Sequence, residues 1–145
     1  TWGLVETKSA IEDAPPELSL YASEHYHQET GVVFRRYSLR VDGFASVEAT
    51  LSGGEMLTKP LVFSGKELVL NLSTSAAGSI RVEIQDAEGK EVPGYALADC
   101  HDLFGDDLQR VVEWVGGSDV SALAGKPVRL RVELMDADLY SLRVR

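Results

Sequence analysis

The sequence predicts an all-β fold, an antiparallel β-sandwich of jelly-roll or lectin-like type, and three observations carry that prediction. Apolar and polar residues alternate without a fault in several segments, as half-buried strands require. Turn-forming residues, among them many of the 13 glycines, punctuate the chain at short intervals. Helical periodicity is scarce.

Taken in order, residues 1–16 read as an extended lead-in or linker from an upstream domain, because Ala14-Pro15-Pro16 cannot continue a regular element. The opening Thr1-Trp2 has no Met and reads as a fragment or a processed product. Residues 17–145 form the sandwich domain in this reading. Strand candidates there are Leu18–Ala22, Val32–Arg40, Phe44–Ala49, Leu61–Phe63, Leu68–Ser73, Ser79–Gln85, Arg110–Trp114, Val128–Leu134 and Tyr140–Arg145. The pair Asp42-Gly43 lies between two of them and predicts a tight type I′ hairpin. Ser52-Gly53-Gly54, Ser64-Gly65-Lys66, Ala87–Lys90 and Gly116–Asp119 read as further turns. Asp102–Leu108 and Asp119–Leu123 each suit one helical turn, the second with Ser118 or Asp119 as N-cap.

Length and charge narrow the function classes. A chain of 145 residues falls within the size of one domain and can bury a core without disulfide or metal. Its single cysteine, Cys100, excludes an intramolecular disulfide. With a net charge of −9, neither nucleic acid nor an anionic membrane is an expected partner, and no apolar run approaches a membrane span.

No assembled catalytic group is legible. Cys100 and His101 adjoin, but neighbours on an extended chain point in opposite directions, so a buried inert cysteine is the preferred reading. His25 and His27 share a strand face at i, i+2, a spacing that suits a divalent metal; solvated loop histidines beside Tyr26 are the default. Asp99, Asp102, Asp106 and Asp107 form an acidic loop in which a structural calcium is the minor reading, and no cofactor is expected. Glu83 and Glu133 invite comparison with the carboxylate pair of a glycosidase, about 5–9 Å apart. Arg81, Arg129, Arg131 and Arg143 lie on the same polar faces, and cross-strand Arg–Glu pairing is preferred.

Flat aromatic rings are what a pyranose stacks on. Trp114, before a Gly-Gly loop, and Tyr26, in the polar run Ser23–Glu29 with His25, are the ligand-binding candidates. For Trp114 the competing and preferred reading is core packing between sheets; for Tyr26 the two readings balance. Phe34, Phe44, Phe63, Tyr37 and Tyr140 read as core or strand packing.

Successive blocks along the chain resemble one family. They include Pro16–Tyr21, Arg36–Arg40 with Asp42–Ser46, Leu57–Leu61, Ser73–Ser79, Leu103–Asp106, Gly116–Val120 and Asp136–Tyr140. Together they are similar to the C-terminal region of bacterial proteins related to glycoside hydrolase families 32 and 43, whose N-terminal part is a five-bladed propeller. The resemblance implies a sandwich packed against an upstream catalytic propeller domain, with polysaccharide or oligosaccharide as ligand and a secreted or periplasmic location. The family's catalytic carboxylates belong to the propeller, so no catalytic residue carries over. The implied role is a non-catalytic carbohydrate-associated module, with a purely structural or dimerising sandwich as the alternative.

Overall fold

A computed structural model describes residues 3–26 and 31–145. The all-β class is borne out: the strands form two antiparallel sheets, of three and five strands. The chain divides into two compact units, Thr1–Phe44 and Ala45–Arg145. That division differs from the boundary at 16/17 expected from the Pro-Pro pair.

In the first unit β1 (Val5–Thr7), β2 (Glu17–Glu24) and β3 (Val33–Arg40) follow one another across the sheet in chain order. The expected lead-in therefore contains a strand, since Val5–Thr7 pairs with Glu17–Ser19. The Pro-Pro pair only ends the loop before β2. At the far end, Gly43 N–H bonds back to Arg40 C=O at 3.1 Å, with Asp42 in the left-handed region at φ 53°. This turn closes no hairpin, contrary to expectation, because the next strand joins the other sheet. A local turn signal fixes a change of direction; which strand pairs next is decided by non-local packing.

The second unit is organised by two long strands. β6 (Leu68–Asp86) and β8 (Val128–Val144) pair along most of their length, with β7 (Asp106–Val111) beyond β6. On the outer side of β8 lie β4 (Val47–Ala49) and β5 (Gly54–Leu57). Each long strand unites two segments that the alternation separates. At about 3.3 Å per residue they are too long to stay straight over a compact core, and they bend at irregularities. One falls between Thr74 and Ser79, opposite Met135 and Ala137, where Asp136 takes φ 45°. This extra residue lets Leu130, Val132 and Leu134 face the core before it and Ala137 and Leu139 after it. Both halves of β6 feed the same core, through Leu68, Leu70 and Leu72 and through Ile80, Val82 and Ile84.

Gly78 sits at this bend. A Cβ there would lie 2.3 Å from the Asp136 carbonyl oxygen. Gly78→Ala is expected to cost about 1–3 kcal/mol through forced backbone movement. Gly116→Ala, whose Cβ would meet nothing within 4 Å, serves as the neutral control. Urea unfolding of the two variants checks this; equal midpoints would refute the account of the bend.

Two shorter expectations resolve differently. The residues Asp106–Leu108 belong to β7, not to a helical turn. Ser121–Leu123 is a 3-10 turn, and Asp119 Oδ1 accepts the Ser121 N–H at 2.8 Å. The N-cap itself is Val120, not Ser118 or Asp119 as expected, and hydrogen bonds from the Ser121 side chain and backbone hold the Asp119 carboxyl below its usual range. No helix among the described residues is long and apolar enough to cross a membrane.

Candidate functional site

Trp114 is core, the reading preferred for it, and not a ligand-binding platform. It is 1% exposed, and its indole Nε1 donates to the Val82 carbonyl at 2.9 Å. Tyr95 packs edge-on against it with ring centroids 5.2 Å apart. The reason is topological: Trp114 lies beyond β7 and bridges to Cys100 and Gly117, which turns the ring into the core. The Gly-Gly loop that made it look accessible closes a tight turn, with Gly117 N–H on Trp114 C=O at 2.8 Å.

Cys100 belongs to the same core. Its sulfur accepts the Val82 N–H at 3.3 Å, and burial pushes the thiol above its ordinary range. His101 points elsewhere, with Nδ1 4.0 Å from Glu113 Oε2. A protonated thiol remote from the imidazole is a poor nucleophile.

The carboxylates of the β5–β8–β6 face gather around Arg131. Glu55 and Glu133 are direct cross-strand partners, a like-charge juxtaposition. Arg131 Nη2 bridges them, at 2.7 Å from Glu55 and 3.4 Å from Glu133, while Nη1 lies 3.7 Å from buried Glu83. The hydrogen bonds that Arg131 donates to Glu55 raise the Arg131 pKa further above its ordinary value. The expected Arg–Glu pairing therefore converges on one guanidinium. Arg81 turns instead to Asp102 at 3.3 Å, Arg129 to the Ala87 carbonyl and Arg143 to Gln109. Beside this cluster is an open cleft of ≈ 430 Å³ lined by Ser52, Gly53, Ser79, Arg81 and Glu133, without an aromatic ring.

In the acidic loop, Asp102 pairs with Arg81, and Asp107 lies 3.4 Å from Arg110. No group of three or more His, Cys, Asp or Glu suited to a metal occurs among the described residues. His27 and Glu29 lie outside them.

Tyr26 and His25 follow β2 directly, both exposed, Tyr26 at 70% and His25 in the left-handed region at φ 60°. The structure adds two aromatic residues that sequence reasoning did not place at a site. Tyr21 on β2 and Phe34 on β3 have ring centroids 5.6 Å apart and planes within 7° of parallel. Phe34 is 71% exposed, so it is not core, and its packing is the cross-strand stack on Tyr21. Phe44 and Tyr37 are likewise exposed.

The two faces of the β2–β3 pair differ in chemistry. Tyr21 stands opposite Arg36 and Ser23 opposite Phe34, on one face. Leu18 opposite Leu39 and Leu20 opposite Tyr37 form the other. On the first face Arg36 is committed: Nε donates to Ser19 Oγ at 2.7 Å, and Nη2 to Thr7 Oγ1 and Glu17 Oε2 at 2.8 Å each. Ser19, the hub of this network, is fully buried. On the second face the Tyr37 hydroxyl donates to Glu24, which holds the carboxyl below its usual range and the phenol above its own. Cross-strand register creates both arrangements, and no local pattern in the sequence displays it.

Comparison of the chain with protein-family models, with curated proteins and with solved structures finds no match.

Proposed function

We propose that this chain is a non-catalytic, carbohydrate-associated accessory module of a larger glycoside-hydrolase-related protein. The single observation that carries the reading is the stacked, solvent-exposed pair Tyr21 and Phe34, with Ser23 directly across from Phe34 on the strand pair. An exposed aromatic face suits the C–H face of a pyranose. The in-order resemblance to the C-terminal region of propeller glycosidases supports the same reading, and a bacterial, secreted or periplasmic setting goes with it. That Glu55, Glu83 and Glu133 share one guanidinium supports the non-catalytic part, because a general acid or base must be able to exchange its proton. Affinity electrophoresis in gels containing soluble polysaccharides tests the proposal. Retarded migration in at least one gel is expected, without release of reducing ends. Unchanged migration in all of them would defeat it.

A second reading has its own observation. Ten of the seventeen exposed large hydrophobic side chains among the described residues lie in the first unit, which contributes no buried hydrophobic side chain to the core. A three-stranded sheet with no core of its own is a marginal structure. Such a unit suits a module that supports a neighbouring propeller or another copy through its leucine-bearing face. Sedimentation velocity across a concentration series distinguishes the dimerising form, which predicts a rising sedimentation coefficient.

A further inference from the structure

The geometry points to a specific ligand class and site within that reading: an uncharged glycan laid along the β2–β3 strand pair, its sugar ring stacked on Phe34, which Tyr21 backs from its other face. The inference rests on the carbohydrate reading and goes beyond it by excluding acidic glycans and by moving the site away from Trp114.

Ring geometry gives the first argument. The two planes are within 7° of parallel, and Phe34 is 71% exposed, so an aromatic face is open to solvent. A ring this exposed on a strand gains little from folding, and a stacked ligand would remove most of its apolar surface from water. Neighbouring chemistry gives the second. Exposed Ser23 stands directly across from Phe34 and offers a hydroxyl at the edge of the ring pair. The leucines Leu18, Leu20 and Leu39 lie on the opposite face of the strand pair.

Charge gives the third. The cation directly opposite Tyr21 is Arg36, and its Nε and Nη2 are spent on Ser19, Thr7, Glu17 and the Lys8 carbonyl. Arg35 lies on the other face and pairs with Glu24 at 2.9 Å. A uronate or sulfate at the rings would meet a guanidinium already neutralised by Glu17, within a protein of net charge −9. A neutral sugar pays none of that electrostatic cost.

The test is isothermal titration of the full chain with neutral hexasaccharides (cello-, xylo- and laminari-) and with hexagalacturonate as the acidic comparison. Binding of a neutral oligomer is expected. Phe34→Ala should weaken it by about ten-fold, the upper range of one aromatic contact. Phe34→Tyr, which keeps the ring, should bind like the parent, and so should Phe104→Ala at an exposed aromatic of the second unit. Circular dichroism melts verify that the variants are folded. Neutral binding unaffected by Phe34→Ala would overturn the inference while leaving the carbohydrate reading intact. Binding of hexagalacturonate alone would do the same. Binding of no polysaccharide or oligosaccharide would overturn both.

Discussion

Trp114→Ala is expected to cost the Ala45–Arg145 unit about 3–5 kcal/mol, the range for truncating a buried aromatic. The ring is among the largest fully buried side chains, and Tyr95, which packs edge-on against it, would lose its partner. The Val82 carbonyl would also lose its indole donor inside the core, and an unsatisfied buried acceptor adds to the penalty. Small domains have only about 5–15 kcal/mol in total, so the variant should be unfolded or close to it at ambient temperature. Trp114→Phe restores most of the volume but not the N–H, and a smaller loss of about 1–2 kcal/mol is expected. Chemical denaturation followed by far-ultraviolet circular dichroism measures both. A Trp114→Ala protein with an unaltered midpoint would show that the indole is not held where described.

Arg131→Met carries the second large effect. Methionine keeps the aliphatic bulk but leaves Glu55 facing Glu133 across the β5–β8 ladder and strands buried Glu83 nearby. Removing one partner of a buried pair typically costs about 3–5 kcal/mol. Arg131 is partly solvated, with 32% of its side chain exposed, so about 2–3 kcal/mol is expected once solvent screening is allowed for. Adding Glu83→Gln in the same chain should return a substantial part of the loss, since it removes the least solvated of the three charges. Equal stability of the single and double variants in urea would show that Glu83 is not coupled to Arg131. The same pair of variants bears on chemistry: if Arg131→Met created rather than removed sugar cleavage, the non-catalytic reading would have to be abandoned.

The sequence displayed the parts of this fold that depend on local period. Ser79–Gln85 and Val128–Leu134 alternate because each is buried on one face, and they are the paired centre of the second sheet. It hid what depends on partners far away. Val5–Thr7 and Gly54–Leu57 are too short to show a period, and each becomes a strand only beside β2 or β8. Asp42-Gly43 announced a turn truthfully but not the sheet its next strand would join. The site behaved likewise. Trp114 reads preferentially as core and is core; the following glycines, which suggested access for a ligand, turn the chain so that the ring is enclosed. Phe34 reads as core or strand packing; it packs across strands on Tyr21, but on the exposed face with Ser23 and Arg36, not in a core. Aromatic identity was legible; aromatic exposure was a property of register.

The pairing of β6 with β8 also governs when the protein can fold. Leu68 is matched with Val144 and Asp86 with Val128, and Arg145 bonds back to Glu67. Nearly every core layer therefore waits for the last strand, and contacts so distant along the chain make for slow assembly, on the order of milliseconds to seconds. On the ribosome, β6 emerges long before β8; β7 can cover one edge of Val69–Ser73 earlier, but the ladder with β8 is complete only once residue 144 has been made. The all-buried opening run of β6, Leu68–Leu72, is then the stretch most in need of a chaperone's cover.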